Sequence, residues 1–95
     1  MTFQTEFPDF DETTMPVIPA GFEDVSWHND TCPSFLNETA GLIIFVDFAD
    51  VTLREFDDGK RFSLGIWDNG SIGEPVAESD DWQDIETAIR ARLSA

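Results

Sequence analysis

The longest apolar run of the chain spans residues 42–48 and is interrupted only by Asp47. Both of its alternating sides are hydrophobic, because Ile43 and Phe45 face away from the other apolar residues of the run. This pattern is typical of a central strand that is covered on both faces. A helix is the competing interpretation, but the run is short and Gly41 precedes it, which favours the strand.

Several shorter segments around this run have the alternation or the β-branched and aromatic composition of strands: residues 22–28, 34–36, 51–56, 61–67 and 74–78. The Asp-Gly step at residues 58–59 is typical of a tight hairpin, so residues 51–56 and 61–67 are predicted to pair. Within the second segment, Ser63 and Gly65 give one face of the strand only small side chains. We expect that face to be solvated or to be closely approached by backbone.

The last predicted element is an amphipathic helix that begins near residue 80. Its apolar residues recur at steps of three and four and form one stripe: Trp82, Ile85, Ala88, Ile89 and Leu93. Ser79 or Asp80 is the predicted N-cap, and Asp80 with Gln83 resembles a capping box. A helix of this kind requires one apolar sheet face to pack against.

Together these elements predict an α+β fold, in which an antiparallel sheet of three to five strands carries one C-terminal helix across one face. We divide the chain into an extended acidic N-terminal arm, residues 1–20, and a single α+β domain, residues 21–95. Prolines in the arm disfavour a helix, yet the arm carries three phenylalanines that require a place to pack. We expect the arm to dock in part and to cover the sheet face that carries Ile43 and Phe45.

Negative charge is the second large feature of the sequence. Twenty acidic residues face five basic ones, which gives a net charge of −15, and residues 1–53 contain no Lys or Arg. Phosphate groups and anionic membranes both attract cationic side chains, so this balance argues against direct nucleic-acid binding and against membrane binding. The first residues do not resemble an export signal and no apolar run has membrane-spanning length, so we expect a cytoplasmic protein.

The densest group of reactive side chains predicts a small pocket formed by Trp27, His28, Asp30 and Cys32. A cysteine and a histidine with an acid nearby are the outline of a thiol nucleophile. A thiolate needs an electropositive setting, however, and this region has no Lys or Arg. We therefore assign no catalytic residue, and the single cysteine and single histidine give no metal site. No cofactor-binding motif is present in the sequence.

A second candidate surface is acidic and combines the start of the predicted helix with the predicted hairpin tip: Asp57, Asp58, Asp80, Asp81 and Asp84. Our first functional hypothesis is a small, non-catalytic protein-binding or accessory module, whose partner is a protein, expected to be basic, or a second copy paired through a sheet edge. The alternative is an acidic nucleic-acid mimic that blocks a basic nucleic-acid-binding protein. A small enzyme that uses the region of His28 and Cys32 is the third hypothesis.

Overall fold

The computed structural model describes residues 2–55 and 59–94. Its helices and strands are α1 (Phe3–Glu6), β1 (Glu23–Asp24), β2 (Ser34–Asn37), β3 (Leu42–Val46), β4 (Phe62–Asp68), β5 (Ser71–Ser79) and α2 (Trp82–Leu93). The predicted α+β fold, with an antiparallel sheet and a C-terminal helix, is confirmed. Within the described residues, no helix is both long enough and apolar enough to cross a membrane.

The five strands form one antiparallel sheet in the order β1-β2-β3-β4-β5, so every strand pairs with its neighbours in the chain. The predicted central strand, β3, lies in the middle, where Ile44 pairs with Phe35 of β2 and with Leu64 of β4. The turn between β4 and β5 uses Asn69 and Gly70, whose φ angles are 52° and 90°. Two-residue hairpin turns favour residues that tolerate such positive angles, and this explains the Asn-Gly pair.

The hydrophobic core lies between one face of the sheet, which we call the core face, and helix α2. Ile44 and Val46 of β3 are completely shielded from solvent, and so is Ile85 of α2. The helix packs chiefly against β4 and β5. The predicted apolar stripe is therefore buried at its centre, whereas Leu93 at the end of the helix is 51% exposed.

The N-terminal arm packs on the same core face as α2. Its phenylalanines Phe3, Phe7 and Phe10 are buried in the hydrophobic cluster that contains the inward residues of β3. The backbone N–H of Phe3 donates a hydrogen bond of 2.7 Å to the carboxylate of Asp24, which fixes the start of the arm to β1. The phenylalanines thus complete the core together with the helix.

Two features of the arm differ from what the sequence led us to expect. Residues Phe3–Glu6 form one helical turn instead of an extended chain, because this turn ends before Pro8 and the proline does not interrupt it. The arm also lies on the core face, so it does not cover the side chains of Ile43 and Phe45 on the opposite face. The domain boundary at residue 20 stays a prediction.

The segment after β3 also differs from the prediction. Val51–Leu53 is a turn of 3-10 helix and not part of a strand, because the Asp50 carboxylate accepts hydrogen bonds from the backbone N–H and the hydroxyl of Thr52 at 2.9 Å and 2.7 Å. The predicted hairpin between residues 51–56 and 61–67 does not form, since β4 pairs with β3 and β5. Residues 56–58 lie outside the described part of the chain.

The boundaries of three other elements differ from the sequence prediction. The strand predicted over residues 22–28 is reduced to the two residues of β1. The short strand predicted over residues 74–78 is the nine-residue β5, which ends at Ser79. Helix α2 is consequently capped by Asp81, whose carboxylate accepts from the Gln83 N–H at 3.0 Å, and neither Ser79 nor Asp80 is its N-cap.

Candidate functional site

The sheet face opposite α2, which we call the open face, receives the odd-numbered side chains of β3 and β4. Strand register places Ile43 beside Gly65 and Phe45 beside Ser63. Large apolar residues on β3 therefore face the smallest residues of β4. The side chains of β3 therefore stand higher above the sheet than those of β4, and this difference creates a depression.

This depression, which we call the trough, consists of two adjoining hollows that share Phe45 and Ile72 as walls. The larger hollow encloses about 450 Å³ and is also lined by Leu36, Ile43 and Trp67. The smaller encloses about 200 Å³ and has Ser63, Gly65 and Pro75 in its lining. Apolar lining with a few polar groups at the margin is the usual chemistry of a binding cleft.

Gly65 lies in the lining of the smaller hollow. A Cβ atom at this position would lie 3.5 Å from Ile72 Cγ2 and 3.6 Å from Ile43 Cγ2, which is ordinary van der Waals contact. The backbone of Gly65 does not adopt a positive φ angle, so neither conformation nor crowding demands glycine here. Glycine inside a strand costs about 0.5–1 kcal/mol relative to alanine. Gly65 stands between two shifts in the β4–β5 register, where glycine is common in strands, and its small size also keeps the trough open against residues larger than alanine.

The walls of the trough combine shielded and exposed apolar surface. Ile43 at its base is only 3% exposed, while Ile72 on β5 is 53% exposed. Ile72 pairs with Trp67 across the β4–β5 ladder, and the register shifts between Gly65 and Trp67. This irregularity separates Ile72 from Pro75 along β5 and lets both residues face the trough.

The margins of the trough are acidic. Asp30 lies at the larger hollow and Glu78 at the smaller one, and no Lys or Arg is among the described residues that line either. The basic side chains with described contacts are engaged elsewhere. Lys60 pairs with Asp80 at 3.6 Å and Arg90 with Glu86 at 3.8 Å, while Arg54 and Arg61 donate to backbone carbonyl oxygens. An apolar depression with carboxylates at its margin therefore carries a negative local potential.

No family model matches this chain, and none of the curated proteins or solved structures compared with it is significantly similar. Function is therefore inferred from the residues of this chain alone.

The pocket predicted around Trp27, His28, Asp30 and Cys32 is divided between different surroundings. Asp30 lines the trough, whereas Cys32 is buried. Trp27 is 40% exposed, and its ring lies against the His28 ring with a centroid separation of 4.2 Å and an interplanar angle of 40°. This tryptophan therefore contacts a neighbouring ring near the surface.

The chemistry of this region does not favour a thiol nucleophile. Burial, and then the nearby negative charge of Asp47, raise the pKa of the Cys32 thiol to about 12. His28 is also engaged, because its Nδ1 lies 2.9 Å from the carboxylate of Glu6 on the arm. Within residues 2–55 and 59–94, no three His, Cys, Asp or Glu side chains are placed to hold a metal ion.

The acidic residues predicted at the helix start each have a local role. Asp81 caps α2, Asp80 accepts from the backbone N–H of Arg61 at 2.9 Å, and Asp84 accepts from the hydroxyl of Ser79 at 2.6 Å. The other two candidates, Asp57 and Asp58, lie outside the described residues. Local capping thus accounts for the described members of this acidic surface.

Sequence reasoning missed the apolar lining of the trough, although one signal pointed to it. The thin face at Ser63 and Gly65 was visible as small residues alternating with large ones along β4. Alternation along β4 also places Trp67 on this face, but the sequence could not indicate that Pro75 and Glu78 would lie beside it. Their placement depends on the irregular register of β5.

Proposed function

We propose that this chain is a non-catalytic protein-binding module, and that its trough binds an extended segment of a partner protein. The observation that carries this proposal is the apolar trough on the open sheet face, with acidic margins and Gly65 in its lining. Two connected hollows that open along a sheet suit a chain with successive side chains better than one compact small molecule. The cytoplasmic location expected from the sequence remains a prediction.

A partner protein suits the trough better than a second copy of this chain. A second copy would bring its own −15 charge toward the acidic margins, which is unfavourable at short range. The exposed edge strand β5 also carries Glu74, Pro75 and Glu78, together with two breaks in register. Charges, proline and bulges on an edge strand oppose pairing with another strand. Sedimentation of the protein alone tests the alternative of a homodimer through this edge.

Selection from a displayed random-peptide library tests the proposal directly. Wild-type protein is the bait, and each enriched peptide is then titrated against Gly65→Leu and Gly65→Ala. The leucine side chain fills the trough, whereas the added methyl group of alanine meets only ordinary contacts. We expect enriched peptides to lose at least about ten-fold in affinity with Gly65→Leu and to retain most of it with Gly65→Ala.

A second blocking variant covers the case in which Gly65→Leu does not fold. Ile72 is half exposed, so Ile72→Asp alters the wall of the trough without removing a core residue. Circular dichroism checks the fold of both variants. Peptides that bind every folded variant as tightly as wild type would contradict the proposal.

The acidic mimic remains the alternative function, and it rests on the net charge of −15. A mimic binds through carboxylates and not through the trough, so Gly65→Leu would leave its binding intact. Its affinity would also fall steeply with added salt, because exposed charges are screened. The third hypothesis, an enzyme that uses the region of His28 and Cys32, is disfavoured by the raised pKa of the thiol.

A further inference from the structure

We infer that the segment bound in the trough presents two apolar side chains at alternate positions and carries Lys or Arg at the same-side positions that flank them. This inference rests on the proposed function and specifies the chemistry of the partner. It follows from two features of the open face: the pair of unequal apolar hollows and the carboxylates around them.

The carboxylates of the open face differ from most other described acids in having no structural task. Asp11, Asp50 and Asp81 accept hydrogen bonds from nearby backbone N–H groups and cap turns or helices. Asp30 and Glu78 make no such hydrogen bond and no salt bridge with the described residues, although both line the trough. Each therefore remains available to a cation supplied by a ligand.

Strand register places a third carboxylate near the trough. Glu23 of β1 pairs with Leu36 of β2, which pairs in turn with Ile43, so the three residues share the open face. Glu78 occupies a parallel row, since it pairs with Ser63, the neighbour of Phe45. One row thus ends in a carboxylate on β1 and the other in a carboxylate on β5, and the apolar lining lies between these two residues.

The shape of the trough also predicts the spacing between the apolar side chains of the bound segment. Alternate residues of an extended chain point to the same side and are separated by about 6.6–6.8 Å. The two hollows adjoin at Phe45 and Ile72. Two apolar side chains separated by one residue therefore fill the two hollows. The intervening residue points away from the sheet, whereas the next residue on the same side at each end faces a margin where a carboxylate lies.

Three matched synthetic peptide sets test this inference. All have leucine at two alternate positions, and the next same-side position at each end is lysine, glutamine or glutamate. Binding is measured by NMR titration of the labelled protein, followed at the backbone amide of Gly65 and the indole of Trp67. We expect the lysine set to bind most tightly, the glutamine set more weakly and the glutamate set not at all.

Substitutions that remove one carboxylate at a time distinguish recognition of the peptide at the trough margins from general attraction to an acidic protein. Asp30→Asn and Glu78→Gln should each weaken the lysine set by about two- to five-fold and leave the glutamine set unchanged. Asp9→Asn removes the same charge from an exposed site on the arm and should leave both sets unchanged. Equal losses with Asp9→Asn and Glu78→Gln would overturn the inference, because the attraction would then be non-specific.

The same titrations distinguish failure of the inference from failure of the proposed function. If the lysine and glutamine sets bind equally and Gly65→Leu blocks both, the inferred preference for a basic segment is wrong, whereas the proposal that the trough binds a segment is supported. If Gly65→Leu blocks neither set, the trough is not the binding site and both proposals are overturned.

Discussion

Replacing Phe10 by alanine tests whether the N-terminal arm is part of the folded unit. Phe10 is 7% exposed, and its ring lies 5.5 Å from the Phe3 ring and 5.3 Å from the Phe48 ring. Truncation removes most of a buried aromatic side chain and leaves a cavity between the arm and the sheet. Replacements of this kind cost about 3–5 kcal/mol, and an arm near the terminus relaxes to fill part of the space. We therefore expect a loss of about 3 kcal/mol.

A loss of this size is large for a chain of 95 residues. Domains of this length unfold with a total free energy of about 5–15 kcal/mol, and each kcal/mol shifts the melting temperature by about 4–8 °C. Phe10→Ala should therefore lower the melting temperature by about 12–24 °C. Urea denaturation followed by circular dichroism gives the change in free energy, and thermal melting gives the shift in temperature.

Val17 provides the matched control in the same arm. Its side chain is 87% exposed, so Val17→Ala should change the free energy of unfolding by no more than about 0.5 kcal/mol. If Phe10→Ala is as mild as Val17→Ala, the arm does not contribute its phenylalanines to the core. Phe3 and Phe10 touch each other, so the effects of their replacements are not expected to add.

Four further outcomes are expected. Deleting residues 1–16 removes Phe3, Phe7 and Phe10 together, so it should lower the melting temperature by at least as much as Phe10→Ala, and an unchanged melt would show that the arm is dispensable. Gly65→Ala should raise the free energy of unfolding by about 0.5–1 kcal/mol in urea titrations, because the methyl group fits and the unfolded chain loses freedom. The hydrogen bond to His28 lowers the pKa of the Glu6 carboxyl, so Glu6→Gln should destabilise the protein near neutral pH. The difference should shrink in unfolding curves as the pH falls below the ordinary carboxyl pKa, and it should vanish once the pH is below the lowered pKa of Glu6. Cys32, with a thiol pKa raised to about 12, should react slowly with a thiol reagent in the native state and quickly in denaturant, and rapid native labelling would contradict its burial.

The sequence predicted the central strand and the C-terminal helix because both have strong periodic patterns. Residues 42–48 have apolar residues on two sides, and Ile85 with Ile89 marks one helical face. The strand expected at residues 51–56 was wrong for a local reason. Val51 and its neighbours have β-type composition, but the carboxylate of Asp50 holds the backbone in a capped turn. Side-chain hydrogen bonds of this kind override weak propensity.

The site was less predictable, because it depends on which face of β3 each flanking segment covers. Ile43 and Phe45 are apolar, so the sequence implied that something buries them. The arm packs on the other face instead, where its phenylalanines meet the larger cluster below α2. The face on which the arm packs depends on how much apolar surface is buried in the whole molecule, and the pattern of single residues does not specify it. The small residues Ser63 and Gly65 were the usable local signal.

Arg61 joins three segments that are distant in the chain. Its guanidinium donates to the carbonyl oxygen of Thr14 on the arm at 3.1 Å and to that of Asp47 after β3 at 3.0 Å. Its backbone N–H donates to Asp80, immediately before α2. Detachment of the arm breaks the hydrogen bond from Arg61 to Thr14. The same guanidinium also holds the carbonyl oxygen of Asp47 at the end of the central strand. We therefore expect fluctuations that open the arm, the strand end and the helix start to be coupled, so that the arm unfolds together with the sheet instead of fraying separately.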